Sequence, residues 1–380
     1  MNTQYRQLLL CLSAFASGKN RAVVTCPEPD WEALFSLASQ HKLEAVVYTT
    51  LGKDPAFCGG DSSRRAQWRQ RAYGLCLAQA KRTAALRSLA AKLEDAGVDY
   101  ALVKGAICRS LYPEGDARIS GDEDLYVPAE HQAACRQVFL EAGLQKGGGD
   151  PDGVTHWLDA ETGLHIELHA RLLEDGEPDA FDYRQPYRVD GLRTLPPAQH
   201  LAYLLAHARK HLIAGGVGIR TVCDIAVFSL RFREELDPGA LGALLERLGC
   251  QALYHHTLAI GRDALGLPCE SPLPQMAEDL LEDILDAGIY GQSSLTRRHS
   301  GAVTQTSTLR TLFPTREQMA RRYPNLTQRP GLLPFYWVKR LASYGLEVKH
   351  TRDNSPGKSL RMAKKRLEML HNYEIISKNP

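Results

Sequence analysis

The stretch SGDEDLYVP, residues 120–128, places three consecutive acidic side chains directly before a β-prone run that ends at a proline. Because successive side chains of a strand point to opposite faces, Asp122 and Asp124 are expected on one face and Glu123 on the other. Two carboxylates held that close repel each other, and a divalent cation relieves the repulsion. The stretch therefore predicts a strand that carries a cation site.

A second alternating segment, LHIELHA at residues 164–170, offers a third carboxylate. Its three apolar residues share one face, so Glu167 and His169 lie on the other. If the two strands are neighbours in one sheet, Glu167 joins Asp122 and Asp124. Mg²⁺ prefers hard oxygen ligands of this kind, which makes a magnesium site the expected use of the cluster.

The surrounding sequence is helical on both sides of these strands. Residues 1–95 and 191–380 contain Ala- and Leu-rich segments whose apolar residues recur every three or four positions. Residues 96–190 contain three short strand candidates, the helical stretch AEHQAACRQVFLEAGL and the glycine-rich loop candidate KGGGDPDG. We therefore predict an α+β fold in which a small mixed β-sheet core is flanked by N- and C-terminal helical regions.

Composition excludes few functions. The chain has 380 residues, 44% of them hydrophobic, and a formal net charge of +2, which indicates a globular protein but names no partner. Residues 338–380 hold ten Lys or Arg against four Asp or Glu. We interpret this basic tail as a solvated helix face, with an anion- or nucleic-acid-binding tail as the alternative. The oligomeric state is left open.

A cytoplasmic location without membrane contact is expected. The nine cysteines include no C-x-x-C pair, which argues against a structural zinc site and a disulfide framework. The segment YRQLLLCLSAFASGK has the outline of a secretory signal but also suits an amphipathic first helix. The apolar stretches fall short of the roughly 18 residues that a spanning helix needs.

The stretch LVKGAICRSLYPEGDARISGDEDLYVP, followed by LHIELHARL, resembles the nucleotidyltransferase core of the DNA polymerase beta-like superfamily. The likeness is closest to a bacterial branch described as an uncharacterised nucleotidyltransferase family. It extends to segments on both sides, among them HARKH and DIA in the C-terminal region. The residues that match the motif of this branch are Lys104, Gly105, Tyr112, Arg118, Asp122, Asp124, Glu167 and His169.

The resemblance implies transfer of a nucleoside monophosphate from a nucleoside triphosphate to an acceptor hydroxyl by a two-metal mechanism. Asp122 and Asp124 are expected to bridge two Mg²⁺ or Mn²⁺ ions. Glu167 is expected to hold the ion on the nucleophile side and to accept the hydroxyl proton. The acceptor, whether protein, RNA or small molecule, is not identified by these residues.

The remaining motif residues are expected to bind the nucleotide. Lys104 and Arg118 would supply positive charge to the phosphates, and Gly105 would open a turn whose backbone N–H groups reach them. His169, from the Glu-x-His pair of the family, is expected beside the same nucleotide.

Glu123 departs from the family pattern, because the branch usually places an apolar residue there. Either it lies at an exposed strand start, or it has a cationic partner, or the site has drifted. The last case corresponds to an alternative function, a non-catalytic nucleotide-binding or interaction protein that retains the nucleotidyltransferase fold.

Other candidate residues carry weaker signals. His207 and His211 stand four apart in a predicted helix and with Asp224 match a transition-metal site, but helix packing or contact with the nucleotide cleft is preferred. We expect a structural hydrogen bond for His156, with a role in the cleft as the alternative, and no nucleophilic role for Cys108. PGKS at 356–359 lacks the first glycine of a phosphate loop.

Overall fold

The computed structural model describes residues 2–288 apart from gaps at 20, 26–28, 150–152, 174–180 and 182–186, short segments between 313 and 340, and residues 356–376. The helices are α1 (Thr3–Ala16), α2 (Trp31–Gln40), α3 (Glu44–Leu51), α4 (Ser62–Asp95), α5 (Gly105–Arg109), α6 (Gln132–Glu141), α7 (Pro197–Ala214), α8 (Ile219–Arg231), α9 (Pro238–Arg247), α10 (Gln251–Asp263), α11 (Glu278–Ala287), α12 (Asn325–Gln328) and α13 (Pro356–Asn372). The strands are β1 (Ala101–Val103), β2 (Glu123–Tyr126), β3 (Gln145–Gly149), β4 (Thr155–Leu158), β5 (His165–His169), β6 (Tyr187–Val189) and β7 (Leu192–Thr194).

A five-stranded mixed sheet, in the order β1-β2-β5-β4-β3, forms the centre of the α+β fold. Strand β2 is parallel to β5, and the other neighbours in this sheet are antiparallel. β6 and β7 form a separate two-stranded sheet. The predicted fold class, a small mixed sheet between helical regions, is confirmed.

Two local predictions need correction. β2 begins at Glu123, so Asp122 precedes the strand instead of belonging to it. Residues 146–149 of the glycine-rich segment predicted as a loop belong to β3, an exposed edge strand paired with β4. Glycine carries no side chain to reveal a strand, and β3 depends on backbone pairing with β4 that the local sequence does not show. The predicted linker at 291–308 lies outside the described residues.

The alternation predicted for β5 is present. Ile166 and Leu168 are fully buried, whereas His165, Glu167 and His169 are half-buried on the other face. The buried face belongs to the same core as α6, where the ring of Phe139 meets that of Trp157 at 5.2 Å in a T-shaped contact. Burial of this apolar face sets which side of β5 presents its polar side chains.

Glu123 is buried and has a cationic partner, as one of the three sequence alternatives required. Arg109 Nη2 lies 2.8 Å from its Oε1. The Ser120 hydroxyl donates to Oε1 at 2.8 Å, and the Ala106 N–H donates to Oε2 at 2.6 Å. A buried charge is tolerated when it is paired and hydrogen-bonded in this way, so Glu123 ties α5 to the start of β2.

Gly105 allows that contact. A Cβ atom built at Gly105 would lie 2.0 Å from Glu123 Oε2. No side chain fits at this distance, so glycine is needed for the carboxylate to reach the first turn of α5.

The N- and C-terminal helical regions share one hydrophobic core with the sheet, and buried apolar residues of a single cluster run from Leu8 to Ile375. His41, after α2, places Nε2 3.0 Å from the backbone oxygen of Leu285 in α11. In α13, Arg366 forms a 2.8 Å ion pair with Asp283. One core therefore joins the three regions in the part of the chain that the structure describes, and their division at 95/96 and 190/191 stays a prediction.

Substitution of Gly105 tests the Glu123 contact. We expect Gly105→Ala to lower the free energy of unfolding by about 2–3 kcal/mol, because the new methyl group displaces the carboxylate. The matched control is Gly74→Ala in α4, where nothing lies within 4 Å of the added Cβ. The control should raise stability by about 0.5–1 kcal/mol through helix propensity. Urea unfolding measures both changes, and equal effects of the two alanines would show that the carboxylate does not hold this turn.

Candidate active site

Asp124 and Glu167 face each other across the two parallel strands at the centre of the sheet. They are paired in register, and with His169 their ligand atoms all lie within 4.8 Å of one another. His169 Nε2 is 3.1 Å from Asp124 Oδ1 and 3.8 Å from Glu167 Oε2. The parallel pairing of β2 with β5 therefore brings together three of the residues predicted to form the site.

Lys104 contacts the carboxylate of Asp124 from the β1 side of β2. It follows β1 directly, and its Nζ lies 2.8 Å from Asp124 Oδ1. Its backbone has φ +55° and ψ −117°, a conformation that costs a non-glycine residue about 1–3 kcal/mol. Strain of this size persists only where surrounding contacts enforce it, and such residues cluster at functional sites.

His200 in α7 supports the Lys104 turn. The Lys104 N–H donates to His200 Nε2 at 3.1 Å, and His200 Nδ1 lies 3.0 Å from the Thr194 hydroxyl oxygen. That hydroxyl donates to the Leu102 carbonyl at 2.6 Å, so Nδ1 carries the proton. Burial lowers the pKa of His200 to about 3, which keeps the ring neutral. Sequence reasoning missed this residue, since its only signal was a histidine in a helical segment.

The pKa values of the two central carboxylates are shifted in opposite directions. Burial works against ionisation of Asp124, but Lys104 and His169 outweigh it and hold its pKa well below the usual range. Burial and the charges of Asp124 and Asp122 raise the pKa of Glu167 to about 7. Glu167 is therefore the carboxylate that a bound cation would stabilise most.

A narrow pocket of about 40 Å³ opens on the other side of Asp124. A single water needs roughly 10–15 Å³, so the enclosed part suits a small polar group. Its lining comes from the β1–α5 turn, β2 and its approach, α7, α8 and the turn between those helices: Lys104, Gly105, Arg118, Ser120, Asp122, Asp124, Leu204, His207, His211, Val217, Arg220, Thr221 and Asp224. Asp124 belongs both to this pocket and to the cluster with Glu167.

The predicted site residues thus fall into two groups. Asp122 and Gly105 lie on the pocket wall, whereas Glu167 and His169 lie on the far side of Asp124. Among the described residues, Asp122 is not part of the compact ligand group around Glu167. Because Asp122 precedes β2, it lacks the strand register that places Asp124 beside Glu167.

Arg118 is paired with a residue of α8. Its Nε and Nη2 contact the carboxylate of Asp224 at 3.1 and 2.5 Å, and the Tyr112 hydroxyl donates to the same carboxylate at 2.9 Å. All three groups are buried. Burial opposes the charge of Arg118, but Asp224 more than compensates and raises the pKa of the guanidinium. The motif residues Tyr112 and Arg118 therefore anchor α8 to the core. Asp224 neutralises the positive charge of Arg118 that was expected to bind phosphate.

His207 and His211 contact the pocket instead of grouping with Asp224. His207 Nε2 is 3.2 Å from Lys104 Nζ, and the two histidine rings lie 4.3 Å apart. Burial, then Lys104, lowers the pKa of both rings, that of His211 to about 4. In the described part of the chain, these residues form no metal-compatible cluster. Both histidines line the pocket, and their contact with a nucleotide stays a prediction.

His156 and Cys108 are the two remaining minor candidates. His156 lies on β4, where Nδ1 is 3.9 Å from Glu167 Oε1. Cys108 is buried in α5, and burial raises the pKa of its thiol. A protonated, buried thiol is a poor nucleophile, in agreement with its predicted lack of a catalytic role.

Within the described residues, no helix combines the length and the apolar character that crossing a membrane requires.

Comparison with known proteins identifies the family. No curated protein and no solved structure matches the chain. One family, described as uncharacterised nucleotidyltransferase, matches residues 27–266, a span from α2 through α10 that includes every motif residue and the whole pocket. The match covers more than half of the sequence, and the chain belongs to this uncharacterised nucleotidyltransferase family.

Proposed function

We propose that the protein transfers a nucleoside monophosphate from a nucleoside triphosphate to an acceptor hydroxyl. The observation that carries the proposal is the Asp124–Glu167 pair, held in register on parallel strands next to a strained lysine and a pocket lined by charged side chains. Family membership supports the reaction class.

The donor set fits Mg²⁺ or Mn²⁺. Asp124 and Glu167 offer hard oxygen ligands close together, with Asp122 on the adjoining pocket wall. The raised pKa of Glu167 comes from burial and from carboxylate neighbours, and a cation offsets that repulsion. Bound by these residues, divalent ions would supply Lewis acidity at the α-phosphate and lower the pKa of the attacking hydroxyl.

The two sides of Asp124 suggest a division of the substrates. The pocket side contains the cations Lys104, Arg118 and Arg220 beside Asp122, Asp124 and Asp224, and we place the triphosphate next to these cations. The opposite side contains Glu167 and His169, where we place the acceptor hydroxyl. Asp124 lies between them, next to the bond that forms.

Each residue then has a defined role. The acceptor oxygen forms a bond to the α-phosphorus, the bond from that phosphorus to the β-phosphate bridging oxygen breaks, and pyrophosphate leaves. Glu167 accepts the hydroxyl proton, and the Nε2–H of His169 holds the orientation of Asp124. Lys104 neutralises Asp124 in the free protein and turns its ammonium to the triphosphate when substrate binds. A phosphate contact of Arg118 stays a prediction, because Asp224 already balances its charge.

Loss of Glu167 separates chemistry from binding. We expect Glu167→Gln to keep nucleotide affinity within about threefold and to lose about 10²–10⁴-fold in transfer rate, because proton acceptance contributes on that scale. The assay follows label from each α-labelled nucleoside triphosphate, with Mg²⁺ or Mn²⁺, into acceptors of a host lysate. Glu161→Gln, at an exposed position before β5, is the matched control. Wild-type protein that binds nucleotide but labels nothing would support the non-catalytic alternative, and full activity in Glu167→Gln would remove its assigned role.

Loss of Lys104 tests the triphosphate side. Lys104→Ala should weaken binding of a nucleoside triphosphate by about 10–100-fold, since a charge-assisted hydrogen bond contributes about 1.5–3 kcal/mol. Lys92→Ala, at an exposed position in the last turn of α4, should leave affinity unchanged. Calorimetric titration measures both, and equal affinities of the two variants would place the phosphates elsewhere.

The raised pKa of Glu167 predicts the pH dependence of stability without divalent ions. The folded state holds this proton up to about pH 7, so stability falls as pH rises from the unfolded pKa, near 4.5, through 7. At pH 8 in EDTA, Glu167→Gln should be more stable than wild type by about 1–3 kcal/mol, because each tenfold change in proton affinity is worth about 1.4 kcal/mol. Urea unfolding at pH 5 and pH 8 measures the difference, which should shrink at pH 5. A Gln variant less stable at pH 8 would contradict the proposed repulsion.

A further inference from the structure

Two histidines surround the face of Glu167 that points away from Asp124. His156 on β4 is the cross-strand partner of Glu167, and His165 precedes Glu167 by two residues on the same face of β5. The ligand atoms of the three side chains lie within 4.8 Å of one another. The two imidazole rings are stacked, with centroids 5.3 Å apart and planes 7° apart. None of the proposed catalytic roles uses either histidine.

The carboxylate of Glu167 lies between two different sets of ligands. Its Oε2 is 3.8 Å from His169 on the Asp124 side, and its Oε1 is 3.9 Å from His156 Nδ1 on the opposite side. One oxygen therefore faces a carboxylate-rich cluster, while the other faces two imidazoles.

We propose that His156, His165 and Glu167 form a second cation site, selective for a transition metal such as Zn²⁺. Two imidazoles and one carboxylate suit zinc or cobalt, whereas Mg²⁺ prefers oxygen ligands and retains its waters. Ligand atoms around one zinc ion, each at 2.0–2.1 Å, stand about 3.3 Å apart in tetrahedral geometry. Rotation of half-buried side chains on neighbouring strands closes the remaining gap of up to about 1.5 Å without moving the backbone.

Occupation of this site has a consequence for catalysis, and that consequence rests on the proposed function. A zinc ion on Oε1 withdraws electron density from Glu167, which makes the carboxylate a weaker ligand and proton acceptor on the Asp124 side. Zinc is then an inhibitor that acts from the acceptor side of the site. The existence of the zinc site does not depend on nucleotidyl transfer.

The test uses Co²⁺, whose visible absorption reports four- or five-coordinate nitrogen and oxygen ligation, on the full chain without nucleotide. We expect one equivalent to bind to wild type. His156→Asn and His165→Asn should each weaken binding at least tenfold, since even outer-shell changes cost about 10–100-fold in metal affinity. His255→Asn in α10, a helix that packs on α8, is the matched histidine control and should bind as wild type does. Thermal unfolding confirms that each variant is folded.

The Asp122→Asn and Asp124→Asn double variant separates the two sites. It should keep the Co²⁺ spectrum, because neither aspartate belongs to the histidine group. Equal affinity of wild type and both histidine variants would overturn the proposal. So would loss of the spectrum in the aspartate variant with the histidine variants intact, since the metal would then lie in the carboxylate cluster. Absence of transfer activity leaves these readouts unchanged, so failure of the proposed function can be told apart from failure of this site.

Discussion

The buried ion pair between Arg109 and Glu123 is the contact on which the geometry of the site depends. It joins α5 to β2, and it holds Glu123 on the core side of the strand. Because adjacent residues of a strand point to opposite faces, this anchor directs Asp124 toward the pocket. Loss of either partner would leave an uncompensated charge in the core, at a cost of about 3–5 kcal/mol. The buried Glu123 therefore positions Asp124, the next residue along the strand.

The buried ion pairs that support the fold are balanced in charge, whereas the surroundings of Glu167 are not. Arg109 with Glu123 and Arg118 with Asp224 are closed, buried pairs, and the second joins elements far apart in sequence. Around Glu167 the balance is different, since burial and neighbouring carboxylates raise its pKa. Groups with strongly shifted pKa values at the edge of a pocket are typical of functional sites. The protein thus neutralises the charges that support the fold and leaves a deficit of positive charge where a cation would bind.

Local patterns were sufficient to predict the parts of the site that follow from strand periodicity. The alternation of LHIELHA predicted that Glu167 and His169 share a face, and the structure confirms it. The partners of Glu123, Arg118 and Lys104 could not be predicted in the same way. Arg118 meets Asp224 across 106 positions, and the Lys104 amide meets His200 across 96. Such pairs depend on how α7 and α8 pack against the sheet, which is a property of the whole fold.

The continuous core also limits the motions that are open to the site. Enzymes that close around a nucleotide commonly rotate two domains about a hinge, which requires an interface that can open. Here the helices of the pocket wall and the strands of its floor contribute to the same cluster of buried apolar residues. A rigid-body rotation between them would break that cluster at high cost. Motions that leave this cluster intact are those of side chains, and the proposed exchange of the Lys104 ammonium from carboxylate to phosphate is a motion of that size.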